Sequence, residues 1–281
     1  MREAERGDTV RRIARAGDPD RALAALFAPR QTRADLLALS ALNVELARIA
    51  EQVSEPELGA IRLQWWREAV ARSRQGEAVG HPVADAFGEI ARRHTLSEER
   101  VAALIDARQF DVATKIMSDW STLESYLKDT AGAMFALGAA CLGGKGPVVD
   151  RAADQAGLAY GLTGLMRALP VHASGGRVYL PADRLVSHGT SPEALLAGST
   201  SQGLRDLLAE LRDRARAACE EARRQVARLD RSAHAAFLPL SLVDPYLAAL
   251  EALDRSGGDP LRQIADINPL YRFWRMVSWR R

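Results

Sequence analysis

Apolar residues recur at intervals of three and four along most of the chain, a spacing that places side chains on one face of an α-helix. Strand-like alternation of β-branched residues is scarce, and the good helix formers Ala, Leu, Arg and Glu dominate. Clusters of Gly and Pro divide this pattern into helical units. The predicted helices cover residues 18–27, 33–53, 82–94, 98–117, 122–142, 149–169, 201–230, 232–254 and 259–279, and a further helix begins at Pro56 and runs through Trp66.

This arrangement predicts a single all-α domain of about ten helices over residues 1–281, without an internal repeat or an interdomain linker. The stretch 174–198 is its least regular part. We expect residues 1–17 to be flexible and residues 269–281 to form an amphipathic segment that is both aromatic and basic.

The charge balance narrows the choice of partners. The 38 basic residues are offset by 36 acidic ones, so we expect no nucleic-acid partner. Two cysteines, Cys141 and Cys219, are too few for a metal cluster or a disulfide framework and fit reduced, packed thiols. The first residues lack the apolar core of a secretory signal, and the longest apolar run, 131–142, is too short to span a bilayer. We therefore expect a cytoplasmic protein that is at most peripheral on the inner membrane.

The last residues have the composition of a membrane-interface helix. At helical spacing, Tyr271, Trp274 and Val277 share one face, and the arginines lie away from them. Tryptophan favours the interface of a bilayer and arginine favours anionic lipid. The alternative is a last helix docked on the core with solvated charges, and the two interpretations are compatible. The candidate membrane contacts are Trp274, Trp279, Arg280 and Arg281.

Three stretches resemble one family in content and in order. They are residues 33–70, residues 110–143 and residues 160–185, and the third contains the run GGRVYLP. Together they resemble the squalene/phytoene synthase family of head-to-head prenyl transferases. The resemblance implies the all-α class I isoprenoid synthase fold, with helices around a deep central cavity.

The same resemblance locates two motif positions that have changed. In the family, two aspartate-rich helices hold Mg²⁺ ions that neutralise the leaving diphosphate. The matching positions here are Ala47, Arg48 and Glu51 in the first motif, and Ala168 and His172 in the second. Alanine offers no ligand, Arg48 puts a cation where a metal would lie, and histidine is a poor Mg²⁺ ligand. We therefore expect no bound metal and no cofactor.

A non-catalytic branch of the family is the better match. Residues 41–66, residues 236–239 and residues 269–271 resemble that branch, which includes the mitochondrial complex I assembly factor with a phytoene-synthase-like domain and its bacterial relatives. The leading hypothesis is an accessory factor that binds a respiratory-complex subunit, or an isoprenoid or other lipid in the inherited cavity. The alternative is an active prenyl transferase that holds Mg²⁺ through Glu45, Glu51 and Asp111.

Several residues are candidates for holding a ligand in the cavity. Arg48, Arg167 and Arg177 would bind a phosphate or diphosphate without metal, since guanidinium groups suit bidentate phosphate contacts. The alternative is pairing with nearby carboxylates such as Glu45 or Glu51.

The remaining candidates have a structural alternative. Tyr179 is expected either to line the cavity or to pack under a loop, and Glu51 could still hold a metal. His172 is interpreted as a ligand or acid–base group, with a purely structural role as the alternative. Asp111 is interpreted as a surface or capping residue.

Overall fold

The computed structural model describes residues 3–53, 55–113 and 116–279, and within these ranges it contains helices and no strand. This confirms the all-α prediction. The α-helices are α1 (Glu3–Gly17), α2 (Pro19–Ala25), α3 (Arg33–Gln52), α4 (Pro56–Arg74), α5 (Pro82–His94), α6 (Glu98–Ala107), α7 (Gln109–Val112), α8 (Trp120–Leu127), α9 (Ala133–Cys141), α10 (Pro147–Arg167), α11 (Leu169–Ser174), α12 (Ala182–Ser187), α13 (Pro192–Leu196), α14 (Gln202–Val226), α15 (His234–Phe237), α16 (Val243–Arg255) and α17 (Pro269–Trp279).

Side-chain caps fix where several helices begin. Asp18 accepts a hydrogen bond from the backbone of Arg21 at 3.1 Å, and Ser97 caps α6 as predicted. Asp119 caps α8 by accepting from the backbone N–H of Thr122 at 2.8 Å, so this helix starts two residues before the predicted position. Each cap satisfies a backbone donor that has no partner inside the helix.

Two large apolar clusters fill the interior. One surrounds α10 and α14, which pack along each other through small side chains such as Ala152 and Ala156. The other lies among α1, α3, α4, α5 and α9. Helix α9 contributes to both clusters and joins them. Cys141 and Cys219 are buried and unpaired, and burial raises the pKa of each thiol to about 12.

The N-terminal segment was expected to be flexible, but the structure places most of it in a helix. Residues Glu3–Gly17 form a helix that packs against α3 and α5. Between its many charged residues the helix carries a short apolar stripe, in which Val10 and Ala14 are buried. The stripe is too sparse to signal a helix by itself, and it becomes stable because α3 and α5 cover it.

Several predicted helices are divided in the structure. The predicted helix 122–142 contains a π-helical turn, Lys128–Gly132, and the predicted helix 232–254 begins with short 3₁₀ turns. The predicted helix 259–279 is irregular before Pro269. Helix α10 ends at Arg167, and Pro170 lies in the first turn of α11, where a missing N–H costs little.

One segment has the length and composition of a membrane span. Residues Arg231–Arg255 are apolar enough for this, but most of that stretch is buried inside the fold. Leu240, Val243 and Leu247 are fully buried there against the cluster around α10 and α14. Such burial is typical of a core helix.

The contact of α10 with the π-helical turn depends on a glycine. A Cβ at Gly157 would lie 2.4 Å from the backbone nitrogen of Gly132, whereas one at Gly164 in the same helix would meet nothing within 4 Å. We expect Gly157→Ala to lower the free energy of unfolding by about 1–3 kcal/mol through overpacking. Gly164→Ala is the matched control, and we expect it to raise that free energy by up to about 1 kcal/mol. Urea denaturation measures both, and equal effects would contradict the close approach.

Candidate functional site

A cavity of about 270 Å³ lies where α3, α10 and α11 approach the π-helical turn. Both predicted motif positions reach it. Ala47 and Glu51 line it from α3, and Ala168 and His172 line it from the end of α10 and from α11. The structure therefore brings together two sets of residues that lie more than a hundred positions apart in sequence.

Two of the predicted ligand residues also line this cavity. Tyr179 is 7% exposed. Arg177 donates a hydrogen bond to the backbone carbonyl of Ala50, which fastens the segment after α11 to the end of α3. This hydrogen bond links the part of the wall formed by α3 to the part that follows α11.

The other two predicted arginines are placed elsewhere. Arg48 is half-buried on α3 but is not part of the cavity wall. Arg167 donates to the backbone carbonyl of Ala265 at 3.2 Å and to Asp266 at 3.0 Å, and its guanidinium lies 3.6 Å from the ring centre of Tyr246. The prediction that Arg167 lines the cavity is therefore wrong, because this side chain turns toward the loop before α17.

A buried polar network forms one end of the cavity. Asp111 Oδ1 accepts hydrogen bonds from the hydroxyls of Tyr126 and Tyr179, both at 2.8 Å, and Oδ2 accepts from Arg108 at 3.1 Å. Arg108 also donates to the side-chain oxygen of Asn43 at 2.8 Å. Asp111 is only 4% exposed, so its interpretation as a surface or capping residue was wrong.

Burial and charge keep the phenols of this network protonated. Burial raises the pKa of Tyr126 and of Tyr179 well above the usual range, and the nearby Asp111 carboxylate adds to each shift. Burial acts to lower the pKa of Arg108, but the combined effect of Tyr126, Asp111 and Tyr179 raises it above its usual value. The two hydroxyls therefore remain donors and Arg108 remains a cation.

His172 lies beside this network with its ring centre 4.5 Å from that of Tyr179. The pKa of His172 is lowered to about 4, chiefly by burial; the charge of Asp111 opposes this shift, and that of Arg177 adds to it. The imidazole is therefore neutral near pH 7. Among the residues that the structure describes, no group of three or more His, Cys, Asp and Glu side chains could hold a metal ion.

Sequence reasoning missed Asn43, Arg108 and Tyr126 as parts of the site. Asp111 and Tyr126 both lie in the second family-like stretch, residues 110–143, so the sequence showed the two residues but not that they pair. Their pairing depends on how α7 and α8 pack, which no local pattern records.

A second buried cluster attaches the C-terminal helix to the core. Asp20 accepts hydrogen bonds from the hydroxyls of Tyr160 and Tyr246, both at 2.9 Å, and from Arg272 at 3.3 Å. Burial raises the pKa of Asp20, and its hydrogen bonds with the tyrosines and the charge of Arg272 oppose that shift. Helix α17 is thereby docked on the core through the side chain of Arg272, which neither interpretation of the C-terminal segment had expected.

The docking of α17 leaves one candidate membrane contact exposed and partly buries another. Trp274 is 57% exposed, while Trp279 is half-buried and packs on the apolar core. Arg280 and Arg281 lie outside the described residues.

Comparisons with known proteins agree with this geometry. The family model for squalene/phytoene synthase matches residues 14–264. The rat protein named NADH dehydrogenase (ubiquinone) complex I, assembly factor 6 is 31% identical over 270 residues, covering 96% of this chain and 80% of its own. The phytoene synthase of Mycobacterium tuberculosis is 30% identical over 161 residues, covering 56% of this chain and 51% of its own.

A solved structure supports the same fold. The squalene synthase HpnC of Alicyclobacillus acidocaldarius superposes with a TM-score of 0.78 at 22% identity, covering 90% of this chain and 94% of its own. Its similarity confirms the class I isoprenoid synthase fold with helices around a central cavity. The extent of the family match decides the classification: the chain belongs to the squalene/phytoene synthase family.

Proposed function

We propose that this chain is a non-catalytic accessory factor in the assembly of a respiratory NADH dehydrogenase of the complex I type. The observation that carries the proposal is that Ala47 and Ala168 stand at the two motif positions on the walls of one cavity. The assembly factor relatives support it, because the rat protein matches 96% of the chain and the mycobacterial phytoene synthase matches 56%.

The donor set of the cavity does not fit a magnesium–diphosphate cluster. Mg²⁺ requires oxygen ligands in near-octahedral geometry. The carboxylates in the wall are Glu51 and Asp111, and both oxygens of Asp111 already accept hydrogen bonds from buried tyrosines and Arg108. Glu45 is not part of the wall. This arrangement argues against an active prenyl transferase that uses Glu45, Glu51 and Asp111.

The proposed partner is a subunit of the respiratory complex, and the proposed place of action is the membrane that holds that complex. An isoprenoid or other lipid is the second candidate. Leu127, Met134 and Leu165 give the cavity apolar walls, which suit a hydrocarbon chain. Arg177 in the same wall would meet an anionic head group without metal.

We expect purified protein to form no squalene or phytoene above the no-protein background when it is incubated with farnesyl or geranylgeranyl diphosphate and Mg²⁺. Product extraction with mass spectrometry measures this, and an active squalene synthase serves as positive control. Turnover at the rate of that control would contradict the proposal.

Deletion of the gene in its own host tests the accessory role directly. We expect the amount of assembled NADH dehydrogenase, read on native gels, to fall and to be restored by the wild-type gene. The Glu51→Gln variant is expected to restore it equally, because this carboxylate holds no catalytic metal in the proposed role. In a metal-dependent transferase, loss of a ligand would reduce activity by orders of magnitude. An unchanged amount of assembled NADH dehydrogenase after the deletion would contradict the accessory role.

A further inference from the structure

Helix α17 directs two arginines toward the core and most of its aromatic side chains toward solvent, whereas an ordinary surface helix directs its charged side chains outward. Its inward side carries Arg272, Arg275, Met276 and Trp279, with Arg275 donating to the backbone carbonyl of Ser241 at 3.3 Å. Its outward side, here named the outer face, consists of Leu270, Tyr271, Phe273 and Trp274. These four are 79%, 42%, 49% and 57% exposed, respectively. A contiguous exposed apolar patch of this kind marks an interaction site.

A groove of about 660 Å³ lies beside the outer face. Phe27 and Trp279 line it, and the ring of Phe27 lies 5.7 Å from that of Phe273. The groove and the outer face are therefore one continuous surface. Leu26, the neighbour of Phe27 in sequence, is 46% exposed.

The groove is strongly basic. Arg30, Arg33 and Arg231 line it, and its lining contains no Asp or Glu. All three arginines are exposed, and within the described part of the chain none of them forms an ion pair with a carboxylate. Arg33 uses its Nε to bond the backbone carbonyl of Ala28 at 3.0 Å, so that its terminal nitrogens remain for another acceptor.

We propose that this surface seats the protein on an anionic phospholipid bilayer, with lipid phosphates in the basic groove and the outer face in the interfacial layer. Guanidinium groups bind phosphate oxygens in pairs, and the negative potential of the bilayer supplies the complementary charge. Aromatic side chains are favoured at the depth of the head groups. A lipid surface matches both halves of the site at once, whereas a soluble phosphate would occupy only the groove. The inference goes beyond the accessory role, because lipid binding here can hold or fail independently of complex assembly.

The test is flotation of the full-length chain with phosphatidylcholine vesicles that contain or lack phosphatidylglycerol. Wild-type protein is expected to float with the anionic vesicles only, and to do so less at high salt. The triple variant R30Q/R33Q/R231Q is expected to lose about 100-fold in affinity, since each basic residue near an anionic surface contributes about fivefold. The matched control is R12Q/R15Q/R255Q, which removes the same charge from exposed positions outside the groove.

A second readout locates the outer face. Phospholipids brominated near the head group quench tryptophan fluorescence, and the Trp274→Phe variant is expected to lose a large share of that quenching while it still floats. Far-UV circular dichroism establishes that each variant is folded.

Four results would overturn the inference. They are equal losses in the two triple variants, equal flotation with neutral vesicles, unchanged quenching in Trp274→Phe, and arginine-dependent binding of glycerol phosphate or an acidic peptide without vesicle binding.

Discussion

Replacing Asp111 with alanine is expected to lower the free energy of unfolding by about 3–5 kcal/mol, because the change leaves a buried cation without its partner. Arg108 would lose its contact with Asp111 Oδ2, and the hydroxyls of Tyr126 and Tyr179 would lose their shared acceptor. Removing one partner from a buried pair is far more costly than replacing the whole pair by apolar residues. Urea denaturation measures the change.

The matched control is another aspartate–arginine pair a few residues earlier. Asp106 pairs with Arg67, but the side chains are 56% and 43% exposed. We expect Asp106→Ala to change the free energy of unfolding by only about 0–1 kcal/mol, because water replaces the lost contact. If the two alanine variants were equally stable, the buried network could not be what holds this end of the cavity together.

The helical pattern made much of the fold predictable. Helices such as α3, α5 and α14 begin and end close to the predicted positions, because their apolar spacing acts within a few positions of the chain, as does the side-chain cap that Ser201 gives α14. The two motif positions were located by alignment with the family pattern. Ala47 and Ala168 then reached the same cavity because the fold carries them there.

The parts that escaped prediction depend on tertiary packing. Helix α1 is stable because α3 and α5 cover Val10 and Ala14, and nothing in residues 1–17 specifies that cover. Arg167 lies at the end of α10, close to the cavity in sequence, but its side chain points away from the cavity because it packs on the ring of Tyr246. The inward direction of Arg272 has a similar cause, since Asp20 lies more than two hundred residues away in sequence.

The hydrogen-bonded network around Asp111 makes one end of the cavity polar. Arg108 donates to both Asn43 and Asp111, and the hydroxyls of the two tyrosines donate to Asp111. The Nε of Arg108 is buried without a hydrogen-bond partner, and the bonds that do form are strengthened by the low local dielectric. These hydrogen bonds link α3, the start of α7, and α8 at this end of the cavity.

His172 gives the second large effect, which appears as a dependence of stability on pH. Its pKa is about 4 in the folded protein and about 6.5 in the unfolded chain. As the pH falls below 6.5, the unfolded state takes up a proton at this residue before the folded state does. The contribution of His172 to stability is therefore complete above pH 6.5 and is lost progressively as the pH falls toward 4.

We expect this loss to reach at most about 3 kcal/mol, since one pKa unit corresponds to about 1.4 kcal/mol and the ring keeps partial access to solvent. Urea denaturation between pH 4 and 7 measures it as the difference between the wild-type protein and His172→Gln. Glutamine keeps a polar side chain of similar reach but takes up no proton. The variant is therefore expected to lose less stability on acidification, and an NMR titration of the His172 ring is expected to give a midpoint near 4. A midpoint near 6.5 with parallel pH curves would show that water reaches this imidazole in the folded protein, and the burial of His172 in the cavity wall would then be wrong.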